Sequence, residues 1–422
     1  MFSIAYGPLK RQNVLNPILL IVALLTIAAT LQALAQQSIV ETVRGGTSSG
    51  GEDPLAGTVL PLPIRTITVS NTSEQSSAIN SAMPGDHIVL TDGSYDGLSI
   101  SCSGTAANPI VIRAANIGQV TITGSYEMRG DRVYLFGLVS SSVLNIWSSN
   151  FRVWRCYFQD RGDYAARLHG GSGGEFAYCT WKRIQGRGVL TGDHIDGVFR
   201  YCGFFDSRAS NNDNDGEAVH HSFGEPNEYG GWLFHRCKFR NWSQSGEEEL
   251  ISCKNSNNIF RQITIDNCPS QALNIRQGQS NVCDAVWTKG SLGIGVHDGC
   301  LARGRNIIKG CKVESIVGGN GGIMVRSGQF KWCQNINTGP NMASQGTVVT
   351  GCDGRVAVGR SYSNWQVAAD RTRIREHTGE ISIQNATNTD SQPGVAEDVS
   401  EWANWSSLIW LEDSDVGPLA DI

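Results

Sequence analysis

Lys254 and Arg276 are separated by almost one full length of the chain's most persistent internal repeat, which is close to 23. A repeat of that length stacks equivalent positions one above the other, so two cations distant in sequence become neighbours. Acidic residues accompany them. In SGEEELISCKNSNN, Glu247 and Glu249 are two apart and face the same side of a strand. The inside of a coil of strands is apolar, so both carboxylates point outward, and adjacent like charges are costly unless a cation joins them. Hard oxygen ligands suit Ca2+. One coil earlier, NDNDGEAVHH supplies Asn214 and Glu217, and the interval from Glu217 to Glu247 makes one coil plus a modest loop. Asn214, Glu217, Glu247 and Glu249 can therefore converge on one calcium ion from two rungs.

The elements that must hold these residues are visible in a recurring strand. It reads FRVWRCYF at Phe151–Phe158, FAYCTW at Phe176–Trp181, VFRYCGFF at Val198–Phe205, LFHRCKF at Leu233–Phe239, NIIKGCKV at Asn306–Val313 and TVVTGC at Thr347–Cys352. Cys156, Cys179 and Cys202 are each 23 apart, and the step of 35 to Cys237 marks a coil carrying an insertion. Short alternating β-branched or aromatic runs closed by Gly, Asn, Asp or Ser turns, without helical heptads between them, predict an all-β, right-handed parallel β-helix. Its rungs lie roughly 4.8 Å apart. Glu74–Met83, before Pro84-Gly85-Asp86, is expected to form a short helix that caps the open first rung.

Forty-nine glycines and 17% charged residues suit such a solenoid, and a net charge of −5 leaves no basic face to follow a phosphate backbone, so nucleic acid is not an expected partner. Lys10 and Arg11 precede an apolar run from Ile18 to Ala29, and Ala33-Leu34-Ala35 has the form of a cleavage site. Residues 1–35 thus read as a signal peptide, 36–63 as a linker and 64–422 as one β-helix domain of a secreted or periplasmic protein. Twelve apolar residues fall short of the roughly 20 that a membrane span needs, so no stable span is expected after cleavage. The twelve cysteines read mainly as an internal ladder of small buried residues, because one recurs at one phase of each coil. Trp154, Trp181, Trp232 and Trp332 sit in or beside repeat strands and read as core.

Further motifs carry a family likeness. After the expected cap come HIVLTDGSYDGLSI and SGTAANPIVIRAANIGQVTITG, a stretch that resembles the opening coils of polysaccharide lyase family 6, the group of alginate lyases and chondroitinase B. EEELISCK resembles the family's Glu-x-Glu-x-x-x-x-Lys segment, LNIRQG its Arg-containing segment one coil later, and NDGE its Asn-x-x-Glu turn; LEDSDVGP at Leu411–Pro418 resembles its closing segment. The resemblance implies a calcium site of Asn214, Glu217, Glu247 and Glu249, with Lys254 as base and Arg276 assisting as acid. Two departures bear on substrate contacts. His220 stands where family members carry the Arg of Glu-x-x-Arg, and in GIGVHDG Gly295 replaces an Arg, for which Arg326 of the next coil is the candidate substitute.

These residue types have coherent work in a 4-linked uronate. The C5 proton lies alpha to a carboxylate and is very weakly acidic while that carboxylate keeps its charge. A calcium ion against the carboxylate stabilises the dianion that forms as the proton leaves. Lys254 must be neutral to accept the proton, and Arg276 and the ion would depress its pKa while the acidic quartet would raise it. The expected activity is β-elimination on an anionic polysaccharide, alginate first and chondroitin or dermatan sulfate second. A uronan C5-epimerase would share the proton abstraction, and a non-catalytic glycan-binding solenoid would share the fold. The bland reading of Glu247–Glu249 alone is a solvated acidic run, and of His220-His221 and His297-Asp298, local hydrogen bonding.

Overall fold

The structure is a computed structural model and describes residues 59–208, 216–221, 229–242, 249–269, 271–276, 278–296, 306–314, 321–326, 346–360, 369–370, 372–384, 386–387 and 389–392. The expected signal segment, most of the linker, Asn214, Glu247, His297, Asp298, Trp332 and Leu411–Pro418 lie outside the described residues.

The repeats fold as expected into a parallel β-helix. Among the described residues, fourteen strands from Arg65–Val69 to Asp390–Gln392 form one sheet, ten from Gly93–Tyr95 to Lys312–Glu314 a second, and twelve from Leu98–Ile100 to Ile381–Ile383 a third. Alternation sends one side of each strand into the tube. Val153, Phe176, Phe199, Phe234 and Phe260 share one register column of the first sheet, all completely buried. The rings of Phe176, Phe199 and Phe234 stack at 4.9 and 4.7 Å, so the insertion between the last two coils leaves the column in step. A second column runs through Phe158, Trp181, Phe204 and Phe239 at 5.2, 4.5 and 4.6 Å. Cys156, Cys179, Cys202 and Cys237 are buried free thiols in this core, which bears out the ladder. Trp154, Trp181 and Trp232 are buried as expected.

A single residue in the left-handed region turns the chain between the first and second sheets. Arg155, Tyr178, Tyr201 and Arg236 do so with φ of 53 to 54°, each immediately before a core cysteine. For a residue with a Cβ this costs about 1–2 kcal/mol, and here the corner side chains stack outside the coil, Tyr178 on Tyr201 at 4.9 Å and 2°.

The capping helix spans Thr72–Asn80, shifted from the expected Glu74–Met83. Its start is fixed by Asn71, whose side chain accepts from the Glu74 N–H at 3.0 Å, while the Glu74 carboxylate accepts from the Ser70 N–H at 2.7 Å. These reciprocal bonds satisfy the donors of the first turn and place it ahead of the acidic residue. Gln75, Ala78 and Ile79 are buried, and Gln75 donates to the Gly97 carbonyl at 3.1 Å, which fastens the helix to the first coils. Among the described residues, no helix is long and apolar enough to cross a membrane.

Candidate active site

The third sheet brings the described members of the expected set, Glu217, Glu249, Lys254 and Arg276, onto one outer wall. Cys253 pairs with Ile275, both completely buried, so the next residues, Lys254 and Arg276, turn outward on adjacent rungs. The Arg276 N–H donates to the Cys253 carbonyl at 2.8 Å, and both side chains are half-buried. A separation of one coil thus delivers the two cations to one place. Beside them a row of outward positions runs through His220, Ser252, Asn274 and Gly295.

On the other flank the register of Val189, Val219 and Ile251 sets Arg187, Glu217 and Glu249, two residues earlier, in successive rungs. Two buried carboxylates one rung apart repel unless each is compensated. Glu217 is held from the preceding rung by Arg187, Nε to Oε2 at 2.5 Å, with side chains 9% and 1% exposed. Glu249 is held from the following rung by Arg276 Nη1 at 3.3 Å and by Asn274 Nδ2 at 2.6 Å. Arg187 was not singled out by motif, although it lies one coil before Glu217 at the same phase.

His220 links this acidic pair to the lysine. Its Nδ1 is 2.7 Å from Glu217 Oε1 and its Nε2 is 3.2 Å from Lys254 Nζ. Burial opposes ionisation of Glu217, yet the hydrogen bond from His220 and the charge of Arg187 hold its pKa at about 2. Burial also lowers the pKa of His220, against the pull of Glu217. A neutral imidazole beside an ionised Glu217 carries its proton on Nδ1 and leaves Nε2 to accept from Lys254. Lys254 itself is pushed below the ordinary lysine value, first by burial and then by the charge of Arg276, against the carboxylates of Glu217 and Glu249. Burial, which the sequence could not supply, is the leading cause. An amine that donates one N–H to His220 presents its lone pair elsewhere, the arrangement a general base needs.

The described oxygens fit a hard cation only in part. Glu217 has one oxygen on Arg187 and the other on His220, so its charge is already compensated. Glu249 is bonded to Asn274, whose Oδ1, like the Oγ of its register partner Ser252, is buried without a hydrogen-bond partner. Glu249 and the Oδ1 of Asn274 make an oxygen-rich patch of the kind that receives Ca2+ or a polar substrate group. Among the described residues, no cluster of three or more His, Cys, Asp or Glu residues forms a metal site.

Gly295 explains why an Arg is absent from its rung. A Cβ there would lie 1.8 Å from Gln271 Nε2 and 2.8 Å from Asn274 Oδ1. The Gln271 amide occupies the space above Gly295 that a longer side chain would need. Arg326 ends the strand Gly322–Arg326 two rungs beyond Arg276, where the pairing with Val356–Arg360 shifts register.

Comparison with known proteins agrees with this fold. The sequence profile described as Chondroitinase B matches residues 69–141. No curated protein sequence matches the chain. A mannuronic-acid-specific family 6 polysaccharide lyase from human gut microbiota superposes with a TM-score of 0.63 at 17% identity, over 76% of this chain and 83% of its own. A family 6 polysaccharide lyase from Pseudopedobacter saltans gives 0.62 at 15% identity, over 84% of this chain and 100% of its own. A family 6 alginate lyase in complex with a trisaccharide gives 0.55 at 17% identity, over 79% and 85%. The chain shares the parallel β-helix fold of these lyases. Its opening coils match the chondroitinase B profile, and the solved structures that it resembles in fold are family 6 polysaccharide lyases.

Proposed function

We propose that this protein is an exported polysaccharide lyase that cleaves a 4-linked uronate polymer, alginate first, by β-elimination. The observation that carries the proposal is Lys254 beside Arg276 on one outer wall, with its Nζ turned to His220 Nε2. Neutral Lys254 takes the C5 proton, the C5–H electron pair becomes the C4–C5 double bond, and the bond from C4 to O4 breaks. Arg276 steadies the charge on departing O4 and assists as acid. Glu217, pinned by Arg187, orients His220, and His220 orients the base. His220 therefore serves this reading as the residue that positions Lys254, in addition to its expected contact with substrate.

Calcium belongs to the same proposal, with Glu249 as the described ligand and Asn214 and Glu247 completing the set. Such an ion would withdraw charge from the substrate carboxylate and so acidify the C5 proton. Glu217, the fourth expected ligand, is engaged by Arg187 and His220. Alginate is placed first because similar folds include a mannuronic-acid-specific lyase and an alginate lyase complexed with a trisaccharide. Arg326 remains the proposed substrate-binding Arg of the later coils, and export through residues 1–35 rests on the basic, apolar and small-residue pattern of that segment.

The test is incubation of purified protein with alginate, with and without a chelator, alongside Lys254→Ala. New unsaturated uronate ends are expected from the parent, with loss of about 100-fold or more in Lys254→Ala and on chelation. Polymer left intact by the parent overturns the lyase reading, and a changed uronate composition without chain cleavage points instead to an epimerase.

A further inference from the structure

The outer wall that carries Lys254 continues toward the N-terminal coils with a second cluster that the reaction does not use. Trp147 and His169, one coil apart like Lys254 and Arg276, stack face to face at 4.1 Å and 6°. The Arg129 guanidinium covers the other face of the indole at 3.9 Å. His169 Nε2 is 3.0 Å from Asn145 Oδ1, which fixes the ring from below. Arg129 is joined by Glu127 at 3.2 Å, but the exposed Arg167 has no carboxylate partner among the described residues and only an aromatic contact, 5.6 Å from Tyr164. Burial, and after it the charges of Arg167 and Arg129, disfavour protonation of His169.

This cluster is built and lies in line with the proposed active site. Asn145 and Arg167 occupy the same outward row as His220 and Ser252. The strand of Arg167 is three rungs before that of Lys254, roughly 14 Å at the usual strand spacing. One pyranose advances a polysaccharide by about one rung. A uronan lying along the wall with its scissile bond at Lys254 therefore reaches Arg167 about three sugars away. The intervening floor is continuous, because Tyr164, under Arg167, accepts from Arg187 at 2.7 Å, and Arg187 holds Glu217.

We propose that Arg167, supported by the Arg129–Trp147–His169 stack, is a distal subsite for a uronate residue of the polymer. Arg167 takes the sugar carboxylate through its guanidinium fork, and the stack presents a rigid edge and a second cation beside it. The site makes affinity depend on chain length: short oligomers bind only at the catalytic end, longer ones at both. This deepens the lyase reading and rests on it for the direction of the chain.

Calorimetric titration of Lys254→Ala with polymannuronate oligomers of three and of eight residues tests the subsite without cleavage. The longer oligomer is expected to bind about tenfold more tightly, the share of one charge-assisted pair. Arg167→Gln in the Lys254→Ala background should remove that gain, and Trp147→Leu should reduce it. Arg183→Gln, just past the second-sheet strand Thr180–Lys182 and paired with Asp160, should retain it. Equal affinity for both lengths, or a gain that survives Arg167→Gln, overturns the subsite. If the parent cleaves alginate and either result is obtained, only the subsite fails; if the parent does not cleave, the lyase reading fails while the titration still decides whether Arg167 binds a uronate.

Discussion

Glu217→Gln isolates the part of the site that aims the base. The glutamate accepts from Arg187 on one oxygen and from His220 on the other. A glutamine has one acceptor oxygen, and the permanently charged Arg187 claims it, so the amide N–H2 faces His220. The imidazole must then accept at Nδ1 and carry its proton on Nε2, which points at Lys254 Nζ 3.2 Å away. Neutral Lys254 would accept that N–H with the lone pair meant for the C5 proton. Breaking one such bond in each turnover adds about 1.4 kcal/mol, or tenfold in kcat/KM. The same substitution removes a negative charge that raises the pKa of Lys254, so the acidic limb of the pH profile should move to lower pH even as the rate falls. The assay is ultraviolet detection of unsaturated ends across a pH series, with circular dichroism to confirm folding. Activity within twofold of the parent, or a limb displaced to higher pH, would refute the relay from Glu217 through His220.

Arg276→Gln should move the same limb the other way, because Arg276 lowers the pKa of Lys254 and its loss means that a higher pH is needed to free the base; pH profiles of the residual rate decide it. Glu217, pulled from an ordinary 4.5 to about 2, contributes stability that is present above pH 4.5 and lost as pH falls through 2, on the order of 3 kcal/mol. The stability gap between the parent and Glu217→Gln should accordingly narrow over that window in denaturant melts, and a gap that widens on acidification would contradict the assignment. Gly295→Ala should lower stability by about 1–3 kcal/mol because its Cβ meets Gln271, with recovery in Gly295→Ala/Gln271→Ser; an unchanged thermal midpoint in the single variant would show that the Gln271 amide simply moves aside.

Much of this architecture is written in spacings. The even recurrence of Cys156, Cys179 and Cys202 predicts the coil, and the nearly equal interval between Lys254 and Arg276 predicts their adjacency, because parallel register converts sequence period into vertical alignment. The same logic held signals that motif reading passed over. Arg187-x-x-Leu190 stands one coil before Glu217-x-x-His220 at the same phase, and Trp147 stands one coil before His169. What spacing does not encode is burial and partner choice. The depression of Lys254 comes first from its surroundings, and packing decides that the Arg187 guanidinium closes on Glu217. The cap begins early because Asn71 accepts from the Glu74 N–H and Glu74 in turn accepts from the Ser70 N–H, local bonds that outweigh the apolar pattern.

The central claim is that Lys254 removes the C5 proton of a uronate as O4 departs. Digesting polymannuronate deuterated at C5 and analysing the products by mass spectrometry and NMR tests it most directly. The account predicts new ends that carry a C4–C5 double bond and have lost the deuterium, formed more slowly than from ordinary substrate and not formed by Lys254→Ala. Saturated ends that have gained water and kept the deuterium would contradict it.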